Sequence, residues 1–313
     1  MQYNHITAMP VEVAYYLNCM PGKVYVDCTL GGCGHAIGIC KKIIPGGLFI
    51  GIDQDMDAIK NAKEKLKPYE RSVRLFNDNF TNLKTILSHL NITSVDGILL
   101  DLGLSLYQLE SSGRGFSFKR NEPLDMRMNI QSGITAEEII NKSSEENLRK
   151  IFSDYGEERR AKQIARKIVK TRKDKPIKTS RQLAGIVVGP AKKGKSAYQR
   201  IHPATRVFMA LRIAVNRELE RLESFMENVA DYLNPGGRLC VLSFHSLEDL
   251  IVKRRIKTLE KGCICPPQFP KCVCNKKRVL RSLTKKVIRP TKEEIERNPM
   301  ARSARLRAAE KIW

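Results

Sequence analysis

The sequence predicts an α/β protein, a doubly wound parallel sheet interrupted once by a helical module. Three observations carry that expectation. Residues 24–55, VYVDCTLGGCGHAIGICKKIIPGGLFIGIDQD, read as strand, glycine turn, helix, strand and acid. Strand-like and helix-like segments then alternate as far as Asp101, as they do where parallel strands are joined by crossover helices. From 108 to 205 no segment reads as a strand, and beyond it the strand pattern resumes.

Each element has a local reason. Val24, Tyr25 and Val26 form a short β-branched and aromatic run ending at Asp27, followed by Gly31, Gly32 and Gly34; a second run at 48–52 ends at Asp53. A helix at 58–66 stops at Pro68, a third strand at 73–76 leads to Asp78, Asn79 and Phe80, and Leu83, Ile86, Leu87 and Leu90 space the next helix. VDGILL at 95–100 gives a fourth strand, which puts Asp101 on the same sheet edge as Asp27 and Asp53.

From 102 to 129 the chain is rich in Gly, Ser, Arg and Phe and shows no period; a loop of that length in a compact domain is functional or disordered. Thr135 with Glu138, and Ser143 with Glu146, match capping boxes. Ala161, Ile164, Ala165, Ile168 and Val169 recur at helical spacing, as do Leu183, Ile186 and Val187 after Ser180. Phe208, Leu211, Val215, Leu219, Leu222, Met226, Val229 and Leu233 predict one long amphipathic helix stopped by Asn234-Pro235-Gly236-Gly237. A fifth strand follows at 238–244, with His245, Ser246, Glu248 and Asp249 beyond its tip, and segments 279–283 and 287–289 predict a closing hairpin before a basic tail. The domains expected are a discontinuous sheet domain, 1–107 with 206–313, and an inserted helical domain, 108–205.

Charge narrows the class of partner. The 56 Lys and Arg exceed the 33 acids by 23, and residues 251–313 alone carry 19 basic groups against 5 acidic ones. An excess of this size argues for a polyanion, nucleic acid or an anionic membrane surface. No apolar run approaches the ~18 residues of a membrane span, and the N-terminus lacks the regions of a signal peptide, so a soluble, cytoplasmic, nucleic-acid-binding protein is expected. Five of the nine cysteines stand singly among apolar neighbours, as reduced cytosolic thiols do.

The glycine turn implies a nucleoside-containing ligand. Glycines after a first strand admit a ligand close to the backbone, and an acid at the tip of the second strand accepts the hydroxyls of a ribose. The dinucleotide pattern G-x-G-x-x-G fails, because counting from Gly32 and Gly34 the last slot is Ile37. An acid before the glycines suits a cation better than a pyrophosphate. S-adenosylmethionine, with its ammonium, sulfonium and ribose, matches the pair Asp27 and Asp53; a turn serving only strand-to-helix packing is the plainer alternative.

Taken together, DCTLGGCGH, GIDQD, DGILLDLG, RGFSF, PLDMRM, YGEER, HPATR, ALRIAVN, LNPGGRL and SFHSLED give the chain its resemblance, over nearly its whole length, to the bacterial ribosomal RNA small-subunit methyltransferase H family, also called MraW. That resemblance implies a Rossmann-like S-adenosylmethionine-dependent methyltransferase with an inserted α-helical domain for substrate recognition. It further implies methylation of N4 of a decoding-centre cytidine in 16S rRNA, with the small ribosomal subunit as partner. The cofactor residues it implies are Cys33, Gly34, His35, Asp53, Phe80, Asp101 and Gln108. Cys33 stands where the family has glycine; Leu106, Tyr107, Met209, Leu250 and Met300 also depart from its pattern. A homo-oligomer is compatible with the sequence, as is a diverged or non-catalytic RNA-binding assembly factor that kept the fold.

The chemistry assigns further candidates. Cytosine N4 is a poor nucleophile, its lone pair delocalised into the ring, and an acceptor on the amine localises that pair. Asp101 is the catalytic candidate, and His245 the second; the alternative for His245 is a structural hydrogen bond at a strand end. Arg114, Phe116, Phe118 and Arg127 form a candidate RNA-facing set, because unpaired bases stack on aromatic rings while guanidinium groups hold phosphates. Cys263, Cys265, Cys272 and Cys274 fit a tetrahedral zinc site or four reduced thiols on a surface loop. GPAKKGKS at 189–196 fits the P-loop expression, yet Pro203 leaves little room for the helix such a loop must open, so it reads as a basic loop.

Overall fold

The computed structural model describes residues 7–189, 202–263, 265, 266, 269, 271, 273, 274 and 276–313. The elements up to the sheet's fourth strand are α1 (Pro10–Leu17), β1 (Val24–Asp27), α2 (Gly34–Ile43), β2 (Leu48–Asp53), α3 (Met56–Lys65), β3 (Val73–Asn77), α4 (Leu83–His89) and β4 (Val95–Asp101). Helices follow: α5 (Leu106–Glu110), α6 (Ala136–Lys142), α7 (Glu145–Lys150), α8 (Ala161–Asp174), α9 (Ser180–Val188), α10 (Ala204–Asn216) and α11 (Glu218–Asn228). The chain ends with β5 (Leu233–Ser243), α12 (Ser246–Glu260), β6 (Leu280–Ser282), α13 (Lys292–Arg297) and β7 (Arg305–Lys311).

The chain forms two compact units, one holding the chain up to Leu104 together with Leu219–Trp313, the other Ser105–Glu218. In the first, seven strands form one sheet in the order β3-β2-β1-β4-β5-β7-β6. The first five run parallel to one another, and β7 runs antiparallel to both β5 and β6. Because side chains alternate across a strand, one strand supplies two cores. Val26, Ile50, Ile98, Leu100 and Val241 face one side, with Leu83 and Leu87 of α4, Phe225 and Met226 of α11, and Val252 and Ile256 of α12. Tyr25, Phe49, Leu99, Cys240 and Leu242 face the other, with Leu17 of α1, Ala36, Ile39 and Ile43 of α2, and Ile59 of α3. No helix among the described residues is long and apolar enough to cross a membrane.

In three places the structure departs from the sequence expectation. The single long helix at 208–233 is two, α10 and α11, because Arg217 adopts the left-handed conformation (φ 51°) between them. The Asn-Pro-Gly-Gly run belongs to β5 itself, as an irregularity in its pairing with β4 between Val95 and Gly97. The closing hairpin is absent. Residues 280–282 pair instead with the tail, which forms β7, and Ile288 bridges to Leu306 of the same strand. The tail's apolar alternation, with Leu306, Ala308 and Ala309 fully buried, was hidden among its arginines. Of those, Arg307 makes a two-pronged pair with Asp249 of α12, at 2.6 and 3.1 Å.

The second unit is helical, its one extended contact among the described residues a bridge between Pro123 and Thr179. α7 runs on through a π-helical turn at Ile151–Tyr155, and α10 packs on that turn and on α6 and α9 around Phe152, Ile164, Ile168, Leu183 and Leu211. The capping box at Thr135 and Glu138 forms as the sequence predicts. The next helix is capped one residue later than expected, by Ser144 on the N–H of Asn147, and α9 is capped by Thr179 in a box with Gln182.

Since β7 separates β5 from β6, its inward side chains hold the sheet's far edge. Leu306→Ala should therefore cost about 2–5 kcal/mol, measured by urea unfolding, whereas a tail that merely trailed on the surface would lose almost nothing.

Candidate active site at the strand tips

Parallel strands present their C-terminal ends on one edge, and the chain reverses its direction of travel between β1 and β4, where an open α/β sheet leaves a crevice. Asp27, Asp53 and Asp101 end β1, β2 and β4, and Phe80 opens the turn after β3. Register places Asp27 opposite Gly51 and Leu99, so Asp53 and Asp101 each project two residues beyond it on the flanking strands, and Asp101 lies opposite Leu242. Phe80 meets Phe225 edge to face at 5.3 Å, which holds its ring at the rim of the apolar core.

The glycine loop is tied down by the acid across from it. Asp53 accepts from the N–H of Gly31 at 3.0 Å and from that of Asp55 at 2.8 Å, and a carboxylate bound in this way still has lone pairs for hydroxyl donors. Cys33 caps α2 at φ 67°, so the position does require the left-handed region, at a cost of about 1–2 kcal/mol for a side chain other than glycine. Its side chain is buried, with the Asn61 amide 3.5 Å from Sγ. The Cys33 N–H donates to Leu30 O at 2.8 Å.

Burial sets the electrostatics. Desolvation, then the neighbouring charge of Asp53, pushes Asp27 up to about 7, against the opposing pull of hydrogen bonds from Thr29. Asp101 lies well above the usual carboxylate range because it is buried and because Asp27 and Glu248 are negative beside it. Its Oδ2 is 3.7 Å from His35 Nε2, whereas its Oδ1 is buried without a hydrogen-bond partner among the described residues. An orphaned acceptor of this kind is costly unless a ligand supplies the donor. Two acids whose ionisation is opposed by desolvation are also a site whose charged form a cation would favour.

Thr29 joins the two acids, and sequence reasoning passed over it. Its N–H donates to Asp27 at 3.0 Å, and its Oγ1 accepts the N–H of Asp101 at 2.6 Å. The only sequence signal was its place between the strand-end acid and the glycines.

His245 sits at the N-cap of α12. Its Nδ1 accepts from the N–H of Glu248 at 3.5 Å, while Glu248 Oε2 accepts from the N–H groups of Phe244 and His245, closing a capping box. Nε2 is 3.0 Å from Glu248 Oε1. Both ring nitrogens therefore lie against α12's first turn, which favours the structural alternative over proton transfer. Glu248, which sequence reasoning noted only by position, adds negative charge at Asp101.

The remaining candidates lie in the second unit. Gln108 is buried, and its side-chain oxygen accepts from the N–H of Ser105 in the α5 capping box. Arg114 and Phe116, expected on an RNA-facing surface, are buried: the guanidinium donates to the carbonyls of Arg127 and Met128 and lies 5.5 Å from the centre of the Phe116 ring. Arg127 is half-buried and two-pronged on Asp125, at 2.9 and 2.8 Å. Phe118 stacks on His202 at 4.4 Å and meets Phe208 edge to face. These four order the 102–129 loop, because a chain without regular backbone pairing needs side chains to occupy its carbonyls. The exposed cations beside them, Lys119 and Arg120, were missed.

Gly189 closes α9, so GPAKKGKS follows a helix and not the strand a P-loop needs; its residues from 190 on lie outside the described residues. Cys272 also lies outside them. Cys263, Cys265 and Cys274 stand together, with their sulfurs within 4.8 Å of one another.

An open α/β sheet with an antiparallel strand inserted near its far edge, a glycine loop after β1 and acids at the tips of β1, β2 and β4 defines a Rossmann-like methyltransferase. The chain belongs to the MraW methylase family, which it matches over residues 2–312. It is 54% identical over 314 residues to the ribosomal RNA small subunit methyltransferase H of Desulfosudis oleivorans, all of both chains being covered. The protein of that name from Desulforapulum autotrophicum is 54% identical over 312 residues, again with full coverage, and that from Halothermothrix orenii 50% over 308, with 98% of each chain.

Thr29→Val removes the acceptor for the part-buried Asp101 N–H. It should cost about 1–3 kcal/mol in urea unfolding and shift the Asp27 titration upward when followed by carboxyl-carbon NMR. An unchanged Asp27 titration would show that the threonine does not couple the acids.

Proposed function

We propose that this protein transfers the methyl group of S-adenosylmethionine to the exocyclic N4 amine of a decoding-centre cytidine in 16S rRNA, acting in the cytoplasm on the small ribosomal subunit. The observation that carries the reading is the orphaned Oδ1 of Asp101, at the sheet's switch point beside a second desolvated acid. The relatives' shared name supports rRNA as the substrate.

Bound S-adenosylmethionine supplies an electrophilic methyl carbon whose bond to sulfur breaks as the amine attacks. The protein's task is alignment and charge. Asp53 takes the ribose hydroxyls with the lone pairs its loop bonds leave over, and Phe80 offers an apolar ring to the adenine. Gly34 and His35, which open α2, would hold the methionine portion, and Cys33 shapes the turn through its backbone conformation. Asp27 and Asp101 ionise toward the cofactor's positive charge. Asp101 Oδ1 then accepts a hydrogen bond from the amine, which localises the nitrogen lone pair for attack. The amine's proton leaves to Asp101 or to water. His245 acts at one remove, by holding Glu248 and the start of α12.

The second unit suits a polyanion. α8 exposes Lys162, Arg166, Lys167, Lys170 and Lys173, and Lys119 and Arg120 are exposed in the long loop. Phosphates need such cations, whereas the buried Arg114 and Phe116 serve the loop's shape.

Three outcomes follow from this reading. Labelled cofactor incubated with undermethylated small subunits, free 16S rRNA or DNA should yield N4-methylcytidine from the ribosomal RNA; cofactor binding without transfer to any of them would favour an assembly factor. Asp101→Ala should abolish transfer, and turnover within tenfold of the natural protein would remove Asp101 from the mechanism. Reversing Lys119 and Arg120 to glutamate should weaken RNA binding at least tenfold and flatten its salt dependence by a slope of about 1.4, two single-strand phosphates.

A pH dependence follows as well. Asp27 ionises near 3.9 when unfolded and at about 7 when folded, so the cofactor-free protein loses stability as pH rises through that window. A bound cation favours the ionised acid, so cofactor affinity should rise between about pH 5.5 and 7.5 with release of protons, measured calorimetrically in buffers of differing ionisation enthalpy. Asp27→Asn should bind more weakly and lose most of that rise.

A further inference from the structure

The connection from α12 to β6, residues 261–279, is long for a compact sheet domain and has no secondary structure among its described residues. Its ends are fastened. Val279 N–H donates to Leu259 O at 2.9 Å, Lys276 Nζ to Thr258 O at 2.6 Å, and Arg278 pairs with Glu260 at 3.0 Å. What holds the middle is a different matter, since Phe269 and Val273 are exposed and supply no core there.

The middle contains the thiol cluster. Sγ of Cys274 lies 3.8 Å from Sγ of Cys263, and the sulfurs of Cys263, Cys265 and Cys274 all lie within 4.8 Å of one another. Two thiolates on one tetrahedral zinc, with bonds of about 2.3 Å, stand about 3.8 Å apart, nearly twice the length of a disulfide bond. Backbone amides point at these sulfurs as well: Cys265 N–H lies 3.4 Å from Cys263 Sγ, and Val273 N–H 3.4 Å from Cys265 Sγ. Amide donors on sulfur stabilise the thiolate and orient it, the outer support that metal-ligating groups receive. Lys261, Lys271, Lys276, Lys277 and Arg278, in the same stretch, offset the negative charge that three thiolates leave around a divalent ion. Five of the chain's other thiols are poor competitors for the metal. Burial pushes Cys19, Cys33 and Cys40 up to about 12, and Cys28 and Cys240 well above the ordinary thiol value.

We propose that Cys263, Cys265 and Cys274 bind one zinc ion, which staples the α12–β6 connection at the edge of the sheet. Each thiol gives up its proton to solvent as its sulfur binds, and no electron is transferred. The ion closes a loop of twelve residues from Cys263 to Cys274, the kind of closure through which a metal converts binding energy into local order. The soft sulfur set and tetrahedral spacing favour zinc over magnesium or calcium, which take oxygen ligands.

The full chain, purified anaerobically without chelator and desalted after exposure to a small excess of zinc, should retain about one equivalent by mass spectrometry of the metal. X-ray absorption at the zinc edge should show a sulfur shell near 2.3 Å. Cobalt exchanged into the natural protein should give sulfur-to-cobalt charge-transfer bands and intense visible bands of tetrahedral geometry, a readout that does not depend on any variant folding. Cys263→Ser and Cys274→Ser should each lower zinc affinity at least tenfold while cofactor binding persists. Zinc below one third of an equivalent, a cobalt spectrum without charge transfer from sulfur, or a mass two units light from a disulfide among these cysteines would overturn the site.

Discussion

Two carboxyl groups in apolar surroundings are the constraint around which the first unit is arranged. Asp27 and Asp101 end adjacent parallel strands, so the register that buries Val26 and Leu100 also brings both acids to the same edge, Asp27 fully buried and Asp101 partly so. Desolvation penalises their charge, and each makes the other harder to ionise. Such an arrangement persists only where something repays it. Thr29 repays part with its hydrogen bonds, and the Asp101 Oδ1 left without a partner among the described residues marks the place where a cationic ligand would repay more.

The surrounding loops serve that edge. Asp53 fastens the glycine turn by taking two backbone N–H groups, and Cys33 accepts a left-handed backbone so that α2 can begin directly above the strand tips. On the other flank His245 and Glu248 form a reciprocal cap, which starts α12 at the tip of β5 and leaves a negative charge near Asp101. Side chains that look reactive in the sequence thus divide into those at the strand tips and those that hold the loops around them.

The second unit follows a different logic. Its long loop has little backbone pairing, so Arg114 spends its guanidinium on two carbonyls, Arg127 on Asp125, and Phe118 on His202. The positive charge left for solvent lies on α8 and at Lys119 and Arg120. The cysteines divide in a similar way, five within or against the sheet's cores and a group gathered on an edge connection.

The sequence by itself determined the parallel strands, the glycine turn, the acids at the tips and the family, because these depend on local periodicity and short motifs whose physical meaning does not change with context. It determined the helical character of the inserted segment for the same reason. Only the tertiary structure decided that the arginine-rich tail is an inner strand, since Leu306 and Ala308 become apolar partners only when β5 and β6 lie on either side. It likewise decided that Arg217 breaks the long helix, that Thr29 couples the acids, and that Arg114 and Phe116 face inward. Burial and pairing are properties of what lies across space from a residue, and neither charge nor spacing along the chain records them.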